Sequence, residues 1–282
     1  MLSVTGISAD AVGRSERVTD TLDLRQARLM QLTLDREATF ASGDPLPPFW
    51  HYLYFNPQIR ASDLGLDGHE RLGRFIPDFG LPRRMWAGGR VTVDAPLRLG
   101  ETVEKTSTIR AIEEKSGRSG QLCFVTVDHD FTVAGAHRLR ETQTIVYRAA
   151  PATGVAPPPG TPAPDDAMFA REVTPDPVLL FRYSALIFYG HRIHYDADYA
   201  RETEGYPGLV VQGPLIATLL IDLGLERLGA RQLRAFDIRA MAPLFVTDPF
   251  SLQGRDTDQG VFLWARRPDG TIAMTVMLEA AQ

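Results

Sequence analysis

Residues 214–228 read PLIATLLIDLGLERL, with Gly213 before them and Gly229 after. The run predicts a helix that is apolar on almost every side, and such a helix must be buried inside a folded domain. Pro214 suits its first position, where a missing N–H costs nothing. The free amides of the first turn and the positive end of the helix dipole then face whatever lies beside Gln212 and Gly213. That arrangement can hold a developing oxyanion.

The 33 residues leading into this helix, FRYSALIFYGHRIHYDADYARETEGYPGLVVQG (181–213), are the densest in titratable and hydrogen-bonding groups. They place His191 and His194 among Arg182, Arg192, Asp196, Tyr183, Tyr189 and Tyr195, a clustering that marks a candidate site. Beyond the helix come four strand-like segments: LRAFDIRAMA, PFSLQGR, GVFLWARR and TIAMTVMLEA. The last two are joined through a turn at Pro268-Asp269-Gly270.

The first half carries the same kinds of signal. Thr21 to Leu34 predicts a helix, and the proline-rich ASGDPLPPFW ends it. Phe49 to Phe55, FWHYLYF, reads as an aromatic core segment or one wall of an apolar pocket. Arg83, Arg84 and Trp86 fall in a loop-like stretch rich in Pro, Gly and Arg, where arginines serve either as solvated surface or as ligand-phosphate contacts. From Arg90 onward RVTVDAPL, ETVEKTSTIRAIEEK, QLCFVTVDHDFTV and LRETQTIVYR predict an antiparallel meander.

Residues 149–172 begin with a run of prolines and read as a linker between an N-terminal domain (1–148) and a C-terminal domain (173–282). Ala95-Pro96-Leu97 recurs as Ala242-Pro243-Leu244, and the similar strand order on either side of the linker favours duplication of one α+β unit.

The chain has 282 residues, 44% of them hydrophobic and 23% charged, which excludes a disordered chain. Its net charge of −5 offers no general attraction to nucleic acid or anionic membranes. No stretch approaches a membrane span, and the N-terminal residues lack the basic-then-apolar pattern of a signal peptide. Cys123 is the only cysteine, which rules out an internal disulfide. Together these predict a cytoplasmic protein that binds neither nucleic acid nor membrane.

Ile193-His194-Tyr195-Asp196, followed by Tyr199-Ala200 and by Gly208-Leu209-Val210-Val211-Gln212-Gly213-Pro214, is similar to the hydratase motif of the MaoC-like (R)-specific enoyl-CoA hydratases. The longer string FRYSALIFYGHRIHYDADYA resembles the two-domain branch that includes mitochondrial-type 3-hydroxyacyl-thioester dehydratases and mesaconyl-CoA or itaconyl-CoA hydratases. The resemblance implies a double hot-dog fold of class α+β, in which two antiparallel sheets are each wrapped around a central helix. It also implies reversible hydration of an enoyl-CoA to a 3-hydroxyacyl-CoA, with a short or branched dicarboxylic acyl group. Two positions depart from the motif. Tyr189 stands where the family carries Asp, or Asn in some members, and Gln212 stands where His is common.

Hydration needs a base for water, a proton for the α-carbon and donors for the thioester oxygen. His194 suits the first task, because its unperturbed pKa lies close to working pH. The Gly213 amide suits the last. Tyr189 can donate a proton or orient water, but a phenol is no neutral-pH base. Arg182 and Arg192 would suit a second carboxylate or form structural ion pairs, and Asp196 either orients a histidine or caps local structure. Gln212 would bind water or satisfy loop backbone, and His191 completes the expected substrate-binding set.

A metal held by His191 and His194 would need a further ligand that no HExxH or cysteine pair supplies, so none is expected. CoA enters only as part of the substrate, and a homodimer is the expected assembly. Two alternatives stay open: an acyl-CoA-binding protein that has lost hydration through Tyr189, and a thioesterase on the same fold.

Overall fold

A computed structural model describes residues 10–81, 83–117, 120–149 and 159–281. The expected linker residues 150–158 lie outside them. Among the described residues ten strands form a single sheet. The first half contributes β1 (Ser15–Thr21), β2 (Arg83–Val93), β3 (Thr102–Gly117), β4 (Gly120–Val133) and β5 (Ala136–Arg148). The second contributes β6 (Phe169–Val173), β7 (Leu233–Ala240), β8 (Phe250–Thr257), β9 (Gly260–Arg266) and β10 (Ile272–Ala280). Their order across the sheet is β1-β3-β4-β5-β2-β7-β10-β9-β8-β6, and every pairing is antiparallel. Each half therefore repeats the other's strand order in mirror sequence, and β2 and β7 meet at the centre.

The repeat noted at Ala-Pro-Leu has a structural counterpart, just past the ends of β2 and β7. Arg90 faces Asp237 across the β2–β7 ladder, 147 residues apart, and the guanidinium bonds both Asp237 and Glu279. The Ala95 N–H donates to the Arg138 carbonyl, and in the second half the Ala242 N–H donates in the same way to Ala273. The β2 strand begins earlier than its sequence suggested and takes in Arg83, Arg84 and Trp86, because β5 pairs with it from Arg83 onward; β7 joins on the other side from Gly88. Gly88 permits the contact: its φ is +122°, and a Cβ there would lie 2.0 Å from the Ile238 carbonyl oxygen. Phe169–Val173, read from sequence mostly as linker, forms the edge strand β6 on β8.

Helices α1 (Leu24–Thr33), α2 (Pro177–Leu186) and α3 (Gly213–Leu228) complete the fold. Asp23 and Asp176 cap α1 and α2 by accepting backbone N–H bonds from Gln26 and from Val178 and Leu179. Helix α3 packs against β8, β9 and β10 and buries Leu215, Ile216, Leu220, Ile221, Leu223 and Leu228. Each such side chain contributes about 1.5–3 kcal/mol, which makes α3 the anchor of the second half. This is the hot-dog wrapping expected from the sequence.

The first half is different. At the corresponding place it has 3-10 turns at Trp50–Leu53 and Ala61–Asp63, joined by irregular chain. The hydrophobic face of β3, β4 and β5 is therefore not filled by a long helix, and a cavity lies over it. Among the described residues no helix is long and apolar enough to cross a membrane.

Candidate active site

His194 ends a 3-10 turn, Arg192–His194, and is 5% exposed. Its Nδ1 lies 2.7 Å from the Val210 carbonyl oxygen. A carbonyl only accepts, so Nδ1 carries the proton and Nε2 is left as an acceptor. Burial pulls the imidazole pKa down to about 4, with the Val210 bond opposing the shift. The ring is therefore a neutral base with a fixed tautomer near pH 7.

Tyr189 lies beside it, with ring centroids 5.6 Å apart and planes 34° from parallel. The Tyr189 hydroxyl oxygen is 2.7 Å from His69 Nε2, and His69 Nδ1 is 2.9 Å from Asp67 Oδ2. Hydrogen bonds from the ring and the backbone N–H of His69 outweigh burial and hold the Asp67 carboxyl down at about 2, so it is ionised and only accepts. His69 must donate through Nδ1. Burial also lowers the His69 pKa, so the ring is neutral and Nε2 accepts from the tyrosine hydroxyl. The chain of groups runs Tyr189 to His69 to Asp67.

Asp67 and His69 escaped the sequence reading. They come from a loop 120 residues before Tyr189, and the junction is set by backbone contact. Gly68, at φ +88°, sits where a Cβ would come 1.9 Å from the Gly190 carbonyl oxygen, and the Arg192 N–H donates 2.9 Å to the Asp67 carbonyl. A Gly between a carboxylate and a histidine, Asp67-Gly68-His69, was the available signal. Asp67, His69 and His191 also bring possible ligand atoms within 4.8 Å of one another. In this arrangement Asp67 and His69 bond each other, and His69 also bonds Tyr189.

The other expected residues divide. His191 joins the cluster, its ring 4.1 Å from His69 and 5.3 Å from His194, and burial lowers its pKa to about 2. Gly213 heads α3 as expected, with Trp86 lying over it; a Cβ on Gly213 would be 3.0 Å from Trp86 Cε3. Three of the expected substrate-binding residues take the structural roles that the sequence left open to them. Arg192 is held by Asp196, with Nη2 2.7 Å from Oδ2, and stacks 4.1 Å over Tyr199. Asp196 also accepts from the Tyr199 N–H and so caps the following turn. Gln212 is fully buried and donates 2.8 Å to both the Leu180 carbonyl and the Ser184 hydroxyl, tying α2 to α3. Arg182 is exposed on α2.

The cavity over the first half encloses about 1110 Å³. Tyr189 and His69 are on its wall, together with Arg84, Tyr147, Gln143 and Lys105. His194, 5.6 Å from Tyr189 between ring centroids, is not itself part of the wall. In the aromatic run read as core or pocket wall, Phe49, Trp50, Leu53 and Phe55 all pack in the core, and Phe55 also reaches the cavity wall.

The model of the hydroxyacyl-thioester dehydratase type 2 family matches residues 49–246, more than half of the chain. The chain belongs to that family. It is 44% identical to mesaconyl-C(4)-CoA hydratase of Chloroflexus aurantiacus over 269 residues, covering 95% of this chain and 96% of the relative. It is 27% identical to the mitochondrial hydroxyacyl-thioester dehydratase type 2 of Schizosaccharomyces pombe, covering 84% of each chain. Among solved structures, a MaoC-like dehydratase from Phytophthora capsici superposes with a TM-score of 0.70 at 16% identity, covering 97% of both chains. HtdX of Mycobacterium tuberculosis gives 0.68 at 16% identity, covering 94% of this chain and 99% of its own. The double hot-dog thus accompanies a hydro-lyase family, and the chain is an acyl-thioester hydratase or dehydratase.

Proposed function

We propose that the chain reversibly hydrates a short, branched, carboxylate-bearing enoyl-CoA of the mesaconyl-C(4)-CoA or itaconyl-CoA kind. The observation that carries the reading is the fixed tautomer of His194, whose Nδ1–H is bound to Val210 O and whose Nε2 is free to accept a proton. In hydration His194 takes a proton from water as the water oxygen bonds the β-carbon. His194 then returns that proton to the α-carbon, and the thioester oxygen carries the developing negative charge between these two transfers. The Gly213 N–H, one of the unpaired donors of the first turn of α3, is assigned to that oxygen, a role worth about 100- to 1,000-fold.

Tyr189 is assigned to holding the water. Its proton is engaged by His69, which leaves its oxygen lone pairs to accept. The Asp67 carboxylate keeps His69 in the tautomer this requires. CoA belongs to the substrate, and no further cofactor is invoked. A division ahead of β6 makes the first half the domain that supplies most of the cavity wall and the second the domain that carries His194. Buried Cys123 supports a cytoplasmic setting, and exposed Val178 and Phe181 on α2 support pairing with a second copy.

Incubation with crotonyl-, mesaconyl-C4- and itaconyl-CoA tests the reaction, with enoyl-thioester absorbance and free thiol followed together. Loss of absorbance without thiol is expected. Release of thiol would make the chain a thioesterase, and binding without turnover would make it a carrier.

A further inference from the structure

We propose that Arg84, with the Tyr147 hydroxyl beside it, anchors the free carboxylate of the acyl group and so sets the preference for a dicarboxylic thioester. The inference rests on the reading above that the cavity takes an enoyl-CoA.

Strand alternation separates the two arginines at the start of β2. Arg83 turns to the second half, where its Nη2 donates 3.0 Å to the Glu204 carbonyl and pairs with the Glu204 carboxylate. Arg84 points into the cavity. Among the described residues its guanidinium has no hydrogen bond and no ion pair. It is accessible to solvent, yet desolvation is the largest influence upon it, so the solvent it meets is that of the cavity. Its neighbours, Asp67 and Glu70 among them, outweigh that desolvation and keep the guanidinium charged, and the cavity leaves it open to an anion.

Tyr147 faces Arg84 across the β2–β5 ladder, lines the same cavity and is 1% exposed, and its hydroxyl is buried without a partner. A guanidinium and an O–H donor thus stand side by side with nothing to bind. A carboxylate satisfies both, since its two oxygens accept from the planar fork and from the hydroxyl.

Position fits the chemistry. In mesaconyl-C4-CoA the carboxylate is attached to the β-carbon that water attacks, so its anchor must lie close to the water-binding groups. Arg84 is near enough to Tyr189, Asp67 and His69 to act on their ionisation. The cavity wall on the sheet side sets the polar groups Gln143, His129, Ser107 and Lys105 among apolar Val127 and Ile145.

The test compares kcat/KM for mesaconyl-C4-CoA and crotonyl-CoA, which lacks the carboxylate, in the wild type, Arg84→Gln, Arg84→Lys and Tyr147→Phe. The wild type should prefer mesaconyl-C4-CoA. The ratio of the two values should fall by about 10- to 100-fold in Arg84→Gln, and by less in Arg84→Lys and Tyr147→Phe. An unchanged ratio in Arg84→Gln, or a wild type that prefers crotonyl-CoA, would overturn the proposal.

Thermal shifts with non-reacting succinyl-CoA and butyryl-CoA read the anchor without turnover. If the wild type hydrates no ester, the functional reading fails. A succinyl-CoA shift larger than the butyryl-CoA shift in wild type, and lost in Arg84→Gln, would still uphold the anchor; equal shifts would remove it too.

Discussion

Acidification from pH 7.5 to pH 5 should destabilise this protein by at least about 3 kcal/mol while leaving the chemistry of the folded molecules almost unchanged. Burial holds His194 and His129 down at about 4 and His191 at about 2, whereas an unfolded histidine titrates near about 6.5. Between those values protons bind the unfolded chain and not the folded one, so stability falls as pH drops through this window. At pH 5 each histidine taken singly withdraws about 2 kcal/mol.

Asp222 acts in the opposite sense. Burial raises it to about 6 despite its 3.0 Å pair with Arg36, so the folded state gains a proton as pH falls and recovers about 1 kcal/mol at pH 5. The 5.3 Å contact between His191 and His194 couples their terms, which makes the simple sum an upper bound. Urea unfolding at pH 7.5, 6 and 5 measures the slope, and His194→Asn should reduce it by about one proton. In parallel, the acid limb of kcat/KM should lie near pH 4 to 5. A urea midpoint independent of pH, or an acid limb near 6.5, would refute the desolvated, neutral His194.

Three further outcomes follow from the same geometry. His194→Asn should lower kcat/KM by about 100- to 10,000-fold in the enoyl-absorbance assay; full activity would remove His194 from the reaction. Tyr189→Phe deletes the hydroxyl that donates to His69 Nε2, and should cost about 1 kcal/mol of stability and at least about 10-fold in kcat. A variant with unaltered kcat would leave Tyr189 as packing alone. Gly88→Ala forces a Cβ to within 2.0 Å of the Ile238 carbonyl oxygen at a φ of +122°. It should destabilise by at least about 3 kcal/mol, and an unchanged melting temperature would contradict the β2–β7 register.

Much of the scaffold was legible in the chain because its signals are local. The apolar run of α3 with Pro214 at its start, the alternating strands, and the Ala95-Pro96-Leu97 and Ala242-Pro243-Leu244 repeat each depend on neighbouring residues and on periodicity. His194 was legible for the same reason, since its motif and the helix entry are continuous in sequence. Arg192 and Asp196 show the limit. Their charges mark a site equally well in sequence, but four-residue spacing across a turn let them pair with each other.

What the sequence alone determined is the second half: a buried helix against an antiparallel sheet, with a histidine-bearing loop at the helix N-terminus. Only tertiary structure decided what stands around that histidine. The Asp67-His69-Tyr189 chain and the exposure of Arg84 into a cavity join segments 60 to 120 residues apart. They meet through a backbone contact at Gly68 and through strand pairing at β2, and neither leaves a periodic pattern. The cavity exists because irregular chain with 3-10 turns, at the place corresponding to α3 in the other half, leaves the first half-sheet open.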